Sequence, residues 1–458
     1  MKLKIALISA RGAERFYADS IFEELEKILH REIIFLMEDM EWMPNLGLIT
    51  LAGVIDPSHD LLYVDEEYLL KETMDRIVHE EDFDLVCLSV INTQYKRSYQ
   101  MADIYRDRGI PVAMGGIHPT ALPEEAGEHA DFIFVGEAED TFREFLDDFQ
   151  KGNAKQVYRS KKLVDLTLLP PPRFDLLNQF NYIEKYNRFP IQATRGCPRK
   201  CDFCFLPHIY GAVHRHKTVQ QVVNEIKTVK SMVEQPFISF TDENMFIDVE
   251  YSKELIRSLI PLNILWECYC DIAVAKDKEL LDLLYQSHCA LLLIGLETIN
   301  PKNLEGHNPW KHSKIKDYRQ AIDVIQSHGV GVSGLFIVGF DDDDISVFRQ
   351  IRDFAYETNL VDTEVSALCP FPGTRFYDRM EREGRILTRD WEKFTWIHMN
   401  FQPKKMTPDE IMRGLFWLFK EMVRIDRLIY MKKYFRSVAG RLYGKEITRE
   451  GKPTFLSS

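Results

Sequence analysis

Short apolar runs alternate with amphipathic stretches through the first third of the chain. The apolar runs are KIALIS (4–9), DLLYV (60–64), DLVCLSV (84–90), IPVAMGG (110–116) and FIFVG (132–136). Runs of this length with few polar interruptions are typical of strands that are buried on both faces of a parallel sheet. A helical pattern such as EEYLLKETMDRIVHE (66–80) lies between successive runs. The alternation predicts an α/β fold with a doubly wound, Rossmann-like parallel sheet.

The pattern breaks after residue 150 and resumes near residue 190. The segment LPPPRF (169–174) is too rich in proline for a helix or a central strand, so we expect a linker here. Six further apolar runs follow, separated by helical stretches such as TVQQVVNEIKTVKSMV (218–233). The runs are PIQAT (190–194), FISFTD (237–242), ILWECYC (264–270), ALLLIGLE (290–297), VSGLFIVGF (332–340) and EVSALCPF (364–371). Six strand–helix units predict a partial (β/α)6 TIM-like barrel with its site at the carboxyl ends of the strands.

The last part of the chain has a helical pattern that is aromatic and locally basic. Eleven Lys and Arg against four Asp and Glu lie between residues 404 and 445. Pro408 directly follows a threonine, which suits the start of a helix. The predicted domains are a Rossmann-like domain over 1–150, a linker over 151–185, a barrel over 186–375 and a C-terminal helical cap over 376–458.

Charge and hydropathy exclude some classes of function. The chain has 458 residues and a formal net charge of −13, which argues against broad nucleic-acid binding because that requires a basic surface. The first apolar run is short and soon followed by charges, which favours a first strand over a secretory signal. No apolar run approaches the roughly 18 residues of a membrane span. We therefore expect a cytoplasmic protein.

Three of the eight cysteines stand together in ATRGCPRKCDFCFLP (193–207), just after a predicted strand. Cys197, Cys201 and Cys204 have the spacing CxxxCxxC, and thiolates are the preferred ligands of iron–sulfur clusters. Three ligands on a four-iron cluster leave one iron free of protein. A structural zinc site is the alternative, with nearby histidines completing the set. Those histidines are His208, His214 and His216.

This cysteine pattern, placed after the first strand of a six-unit barrel, resembles the radical S-adenosylmethionine (SAM) superfamily. The segments FTDENMF, LLIGLET, FIVGFDDD and LCPFPGTRFYDRM follow it in the order of that family. Upstream, MPNLGLITLAGVI, GGIHPT, FVGEAEDTF and LPPPRFDLL resemble the subgroup with an N-terminal cobalamin-binding domain. The resemblance covers residues from about 1 to 400.

The resemblance implies a [4Fe–4S] cluster on Cys197, Cys201 and Cys204, with SAM on the fourth iron. Reductive cleavage of SAM then gives a 5′-deoxyadenosyl radical that takes a hydrogen atom from the substrate. Further residues match positions that contact SAM in the family, including a carboxylate group for its ammonium. They are Phe203 for the adenine, Thr241, Asp242 and Glu243 for the amino group, Glu297 for the ribose, and the backbone near Gly339.

The same resemblance implies cobalamin in the N-terminal domain. Gly115 and Gly116 end a predicted strand, where a nucleotide tail could approach the backbone, and His118 and Thr120 follow. An ordinary turn capped by threonine explains the same residues without a ligand. The D-x-H-x-x-G motif that presents a histidine to cobalt is absent from the sequence, as it often is in this subgroup.

The resemblance favours cobalamin-dependent methylation of an unactivated carbon in a small-molecule or lipid substrate. The alternatives are radical ring closure or rearrangement, a radical enzyme whose N-terminal domain binds no cobalamin, and a zinc-stabilised binding protein. The implied partner is an external electron donor such as a flavodoxin or ferredoxin, and no nucleic acid is expected. The basic C-terminal helices are expected to cap the barrel, with peripheral contact to an anionic membrane as the other interpretation.

Overall fold

The computed structural model describes residues 2–12 and 43–443 of the chain. Two parallel sheets of six strands each form its framework, and helices cover them. The α/β fold class predicted from the sequence is thereby confirmed. The part of the loop SARGAERF (9–16) beyond residue 12 and the C-terminal segment 444–458 lie outside the described residues.

The first sheet has the strand order β2-β1-β3-β4-β5-β6, and every neighbouring pair is parallel. Its strands are β1 (Lys4–Ser9), β2 (Asp60–Asp65), β3 (Leu85–Ser89), β4 (Val112–Gly115), β5 (Phe132–Val135) and β6 (Val157–Arg159). Its helices are α1 (Leu46–Val54), α2 (Lys71–His79), α3 (Tyr95–Asp107), α4 (Ile117–Ala121), α5 (Pro123–His129) and α6 (Glu139–Gln150). The order reverses between β1 and β3, and ligands of doubly wound sheets bind at the carboxyl ends beside such a reversal.

Two details of this half differ from the sequence-based expectation. The predicted helix over 66–80 is a short 3-10 turn at Glu66–Tyr68 followed by α2, because Leu69 and Leu70 have extended backbone. Strand β6 lies beyond residue 150, so the first sheet reaches into the segment expected to be a linker. The rest of that segment holds a 3-10 turn at Leu166–Leu168 and two more within Phe174–Glu184, which are separated by non-helical backbone at Gln179, Phe180 and Asn181.

The second sheet runs β14-β13-β12-β11-β10-β7, again with every neighbouring pair parallel. Its strands are β7 (Phe189–Ile191), β10 (Phe237–Phe240), β11 (Leu265–Cys270), β12 (Cys289–Glu297), β13 (Gly331–Val338) and β14 (Asp362–Ala367). A small antiparallel pair, β8 (Thr194–Arg195) and β9 (Arg215–His216), flanks the cysteine loop. The sequential order of an open parallel sheet is that of a partial barrel.

Helices follow the strands of the second half, as its apolar pattern predicts. They are α7 (Leu206–Tyr210), α8 (Val219–Met232), α9 (Val249–Leu259), α10 (Lys278–Gln286), α11 (Pro301–Leu304), α12 (Pro309–His312), α13 (Tyr318–Ser327), α14 (Val347–Glu357) and α15 (Arg375–Arg382). Helix α8 begins at a capping box in which Thr218 and Gln221 bond reciprocally. The core between these helices and the sheet is continuous with the core on one face of the first sheet.

Up to residue 443, where the described part of the chain ends, the basic C-terminal segment forms α16 (Pro408–Met422) and α17 (Ile425–Tyr443). Thr407 caps α16 through a capping box with Glu410, as the threonine before Pro408 indicated. None of the helices in the described ranges combines the length and apolar character needed to cross a membrane.

Candidate functional site

The cysteine loop begins where β7 ends, at the carboxyl edge of the second sheet. Gly196 opens the loop with a φ of +90°, and a Cβ there would collide with the carbonyl oxygen of Val213. This position therefore requires glycine. Cys197, Cys201 and Cys204 are partly exposed and form no disulfide, whereas the other five cysteines are buried.

Two carboxylates that follow β10 bind the backbone of the residues just before the first cysteine of this loop. Asp242 is fully buried and accepts from the backbone N–H groups of Ala193 at 3.1 Å and Thr194 at 2.5 Å. Glu243 accepts from Gly196 N at 2.8 Å. Burial raises the pKa of Asp242 to about 6, and burial together with the Asp242 charge raises the pKa of Glu243 to about 7. Both residues, predicted to contact SAM, support the backbone in front of Cys197.

The segment after β12 packs on the other side of the cysteine loop. His307 Nδ1 lies 2.6 Å from Asp202 Oδ1, and Arg379 Nη1 lies 3.2 Å from the other Asp202 oxygen. Asn308 Nδ2 donates to Cys201 Sγ at 2.8 Å. The segment after β12 therefore contacts the cysteine loop at two points, the Asp202 side chain and the Cys201 sulfur.

Arg199, which lies between the first two cysteines, ties the loop to β11. Its guanidinium donates to Asp271 at 2.7 and 3.0 Å, and its carbon centre lies 3.7 Å from the centroid of the Trp310 ring. Asn244 also donates to Asp271, at 2.9 Å. A stacked, paired arginine of this kind fixes the loop conformation.

Phe203 lies in an aromatic group at the same edge of the sheet. Its ring centroid is 6.2 Å from that of His307 and 6.3 Å from that of Phe340. Gly339, at the end of β13, has a φ of +100° and donates its N–H to Asp343 at 3.0 Å. The predicted adenine contact of Phe203 and backbone contact of Gly339 are thus on neighbouring surfaces.

Glu297 ends β12 in the left-handed region, with φ of +64°. Its carboxylate forms an ion pair with the ammonium of Lys311, which also donates to Gly295 O at 2.8 Å. Burial opposes a charge on Lys311, but the Glu297 carboxylate outweighs it and raises the pKa of Lys311. Glu297 is therefore held in place by a buried cation that the sequence did not reveal.

The chemistry of the three thiols fits an iron–sulfur cluster. They are soft donors on a loop that glycine, arginine and asparagine contacts fix in place. Burial raises the pKa of all three thiols, that of Cys204 to about 12, so iron must displace their protons on binding. Within residues 2–12 and 43–443, no group of three or more His, Cys, Asp or Glu side chains is arranged to hold a single metal ion.

The carboxyl edge of the first sheet carries buried polar atoms without partners. The side-chain amide of Asn92 and the hydroxyl of Thr93 follow β3, are almost fully buried and make no hydrogen bond. Gly116 follows β4 with a φ of +106°, and a Cβ there would lie 2.7 Å from Val90 O. Gly115 precedes it at the strand end. Asn92 and Thr93 thus leave polar groups without hydrogen-bond partners beside Gly116, a position that requires glycine. This combination fits a polar ligand such as cobalamin, which carries many amide groups.

The two other residues predicted for cobalamin make internal contacts. His118 is fully buried, with Nε2 2.9 Å from the Tyr99 hydroxyl and 3.4 Å from Glu125 Oε1. Thr120 Oγ1 accepts from Gly136 N at 3.0 Å. His118 thus joins α4 to α3 and α5, and Thr120 joins α4 to the residue after β5. Their roles toward cobalamin stay predictions.

A buried ion network links the carboxyl ends of the two sheets. Glu137, just after β5, accepts from Arg195 at 2.9 Å and from Arg215 at 3.0 and 3.1 Å. Glu139 pairs with Arg195 at 2.6 Å, and Arg195 lies two residues before Cys197. A second junction forms where Trp391 Nε1 donates to Glu125 at 3.0 Å. These contacts join the carboxyl ends of the two sheets.

Several site residues were missed from the sequence because their partners are far apart along the chain. Asn308, His307 and Lys311 come from a loop about a hundred positions after the cysteines, and Arg195 pairs with Glu137 58 positions earlier. The one available signal was GEAED (136–140), in which three carboxylates within four residues follow a strand end and require cations.

Comparison with known families matches two parts of the chain. Residues 191–355 match the radical SAM superfamily, and residues 42–146 match the B12 binding domain. The first range contains the cysteine loop and the carboxyl ends of β10 to β13, and the second contains the carboxyl ends of β2 to β5. The sequence resemblance is thus confirmed for both halves.

Curated relatives include the bacteriochlorophyllide d C-12(1)-methyltransferase of Chlorobaculum tepidum, 29% identical over 83% of this chain and 82% of the relative. The hopanoid C-2 methylase of Rhodopseudomonas palustris is 26% identical over 78% of this chain and 68% of the relative. The anaerobic magnesium-protoporphyrin IX monomethyl ester cyclase of Synechocystis is 23% identical over 80% of this chain and 79% of the relative.

Solved structures share the fold. The radical SAM methyltransferase TsrM of Kitasatospora setae, solved with cobalamin and a [4Fe–4S] cluster, has a TM-score of 0.65 and 15% identity, and covers 90% of this chain and 85% of its own. The cobalamin-dependent enzyme OxsB, solved with aqua-cobalamin and SAM, has a TM-score of 0.62 and 16% identity, and covers 86% of this chain and 56% of its own. This chain therefore combines a radical SAM domain over residues 191–355 with a preceding B12-binding domain over residues 42–146.

Proposed function

We propose that this protein is a cobalamin-dependent radical SAM methyltransferase that methylates an unactivated carbon. The observation that carries the proposal is that one chain combines two features. The radical SAM half has a loop with three cysteines, and the B12-binding half has glycines and buried polar groups without hydrogen-bond partners at the carboxyl edge of its sheet. Curated relatives that align with 78–83% of this chain are named as methyltransferases or as a methylase. This pairing favours methyl transfer over radical chemistry without cobalamin.

In the proposed site, Cys197, Cys201 and Cys204 hold the cluster. Asp242 and Glu243 position the loop through the N–H groups before the first cysteine. When bound, the cluster supplies the electron that cleaves SAM, and cobalamin supplies the methyl group. The protein's part is to hold the loop rigid and to exclude water with aromatic side chains.

SAM would lie along the carboxyl edge of the second sheet. Phe203 offers a ring face to the adenine, Glu297 an acceptor to the ribose, and the backbone at Gly339 a further contact. Thr241 lies between the loop and β10, with its N–H bonded to Ile191 O at 2.9 Å. These assignments follow the family pattern and are supported by the location of all four residues at one edge.

Cobalamin would lie against Asn92, Thr93 and the Gly115–Gly116 edge. The reversal of strand order between β1 and β3 opens the crevice there. His118 and Thr120 would act indirectly, by holding helix α4 in place through their contacts with Tyr99 and Gly136.

The substrate class we propose is a polycyclic, largely apolar molecule, with a bacteriochlorophyllide as the first compound to test. Relatives named for bacteriochlorophyllides and hopanoids share this character. The cyclase relative makes ring closure the second candidate, because it matches a similar share of the chain.

The test is an anaerobic assay of the protein reconstituted with iron, sulfide and cobalamin, given SAM, reductant and bacteriochlorophyllide d. Formation of 5′-deoxyadenosine and S-adenosylhomocysteine together, with a methylated product by mass spectrometry, supports methyl transfer. Deoxyadenosine with a dehydrogenated, unmethylated product supports ring closure instead. If neither product forms from any polycyclic substrate and SAM is not cleaved, the proposal is wrong.

We also propose two partners. An external flavodoxin or ferredoxin would reduce the cluster, as in other radical SAM enzymes. The C-terminal helices would contact an anionic membrane peripherally, because Ile425 and Ile429 are 64% and 48% exposed on α17 beside the exposed Lys433 and Arg436. Cytoplasmic location agrees with both.

Sedimentation with anionic vesicles tests the membrane contact. The wild type should sediment at low salt and be released at high salt, and the variant Ile425→Ser/Ile429→Ser should sediment less. Equal recovery of both proteins in the supernatant at low salt would rule out the contact and leave the helices as a cap on the barrel.

A further inference from the structure

The segment 307–311, which we call the brace, lies along the cysteine loop. His307 O accepts from Asp202 N at 3.3 Å, and the His307 ring meets the Asp202 carboxylate. Trp310 stacks under Arg199. Contacts on both sides of Asn308 therefore fix its distance from the loop.

Asn308 is fully buried and its amide has a defined orientation. Its Oδ1 accepts from the backbone N–H of Lys311 at 2.9 Å, which caps the short helix α12. Since oxygen faces that N–H, the amide NH₂ group must be the one 2.8 Å from Cys201 Sγ. The Cys201 sulfur thus accepts a hydrogen bond from the neutral amide of Asn308, whose orientation is fixed by the bond to Lys311 N.

We propose that Asn308 raises the reduction potential of the cluster by donating a hydrogen bond to the Cys201 sulfur. Reduction adds negative charge to a cluster and its thiolates, and an N–H donor stabilises the more negative state. The donor is buried, where the surrounding protein screens it less than water would. Asn308 acts through Cys201 and is a positioning residue, not a catalytic one.

The inference rests on the proposed function only in taking the cluster to be held by the three cysteines. A cluster with a less negative reduction potential accepts an electron more readily from its donor but is a weaker reductant toward SAM. The hydrogen bond therefore sets the balance between these two steps.

The test is the midpoint potential of the reconstituted cluster, followed by electron paramagnetic resonance during a redox titration without SAM. Asn308→Ser keeps a neutral capping oxygen for α12 but is too short to reach the sulfur. Asn308→Asp keeps the shape and the cap, and replaces the donor with a negative carboxylate. Asn300→Ser is the matched control, because Asn300 caps the preceding short helix α11 and its side chain bonds to the backbone at Asp342 and Lys302 instead of to a cysteine.

We expect the potential to become more negative in Asn308→Ser, more negative again in Asn308→Asp, and to stay unchanged in Asn300→Ser. Potentials equal to the wild type in both Asn308 variants would overturn the inference. Failure of both variants to bind iron, while Asn300→Ser does, would also overturn it, because Asn308 would then serve assembly. A wild type that binds no cluster would instead refute the proposed function itself.

Discussion

Removing the charge of Glu137 should weaken the junction between the two halves of the protein. Glu137→Gln preserves the shape of the side chain but leaves Arg195 and Arg215 with less negative charge. Arg195 keeps its pair with Glu139 at 2.6 Å. Besides the uncharged oxygen of the new glutamine, Arg215 keeps the carbonyl oxygens of Val164 and Tyr210 as acceptors.

The size of the effect follows from burial. Removing one partner of a buried ion pair typically costs about 3–5 kcal/mol, because the remaining charge is left unpaired. The Arg215 side chain is 15% exposed and can be partly hydrated, so we expect the lower end, about 3 kcal/mol. The control Glu144→Gln removes an ion pair with Lys155 whose side chains are more than half exposed, and should cost less than about 1 kcal/mol.

Urea unfolding of the metal-free variants, followed by circular dichroism, measures the difference. A double-mutant cycle with Arg215→Met should show a coupling of about 1 kcal/mol or more, because the second change removes the unpaired guanidinium. Equal unfolding midpoints for Glu137→Gln and Glu144→Gln, with additive effects in the cycle, would refute the idea that this network joins the two halves.

Three further predictions concern single residues. Burial raises the pKa of Asp65 to about 6, so its stabilising contribution is complete below about pH 4 and is lost as pH rises through 6; Asp65→Asn should abolish a loss of roughly 3 kcal/mol in unfolding free energy between pH 4 and 7.5, and an unchanged pH slope would contradict this. Gly116→Ala should lose bound cobalamin on gel filtration, whereas Gly109→Ala, which shares a positive φ but meets no atom within 4 Å, should retain it; equal retention would count against the cobalamin edge. Cys204→Ala should lose iron and sulfide after reconstitution while the buried control Cys87→Ala keeps them, and full iron content in Cys204→Ala would exclude it as a ligand.

The sequence predicted the parts of the fold that depend on local pattern. The continuous apolar run ALLLIGLE (290–297) corresponds to β12, and KIALIS corresponds to β1 without change. Buried parallel strands are readable in this way because both of their faces require apolar residues. Strand β6 was not predicted, because three residues with an exposed, buried, exposed pattern carry too little signal.

The site was predictable as far as residues stand at strand ends or in one motif. The cysteines, Asp242, Glu243 and Glu297 could be singled out by that placement, and their roles toward a cluster and SAM stay predictions. Their protein partners could not be predicted, such as the two backbone N–H groups that donate to Asp242. Asn308 and Lys311 reach the site only through tertiary packing, and hydrophobic periodicity carries no information on such pairings.

The most direct test of the central claim is the electron paramagnetic resonance spectrum of the reduced, reconstituted protein before and after SAM is added. If three thiolates hold a four-iron cluster with one open iron, SAM must change the spectrum, and SAM labelled in its amino or carboxylate group must show coupling to the cluster. A spectrum that does not respond to SAM, from protein that contains a full complement of iron and sulfide, would contradict the account.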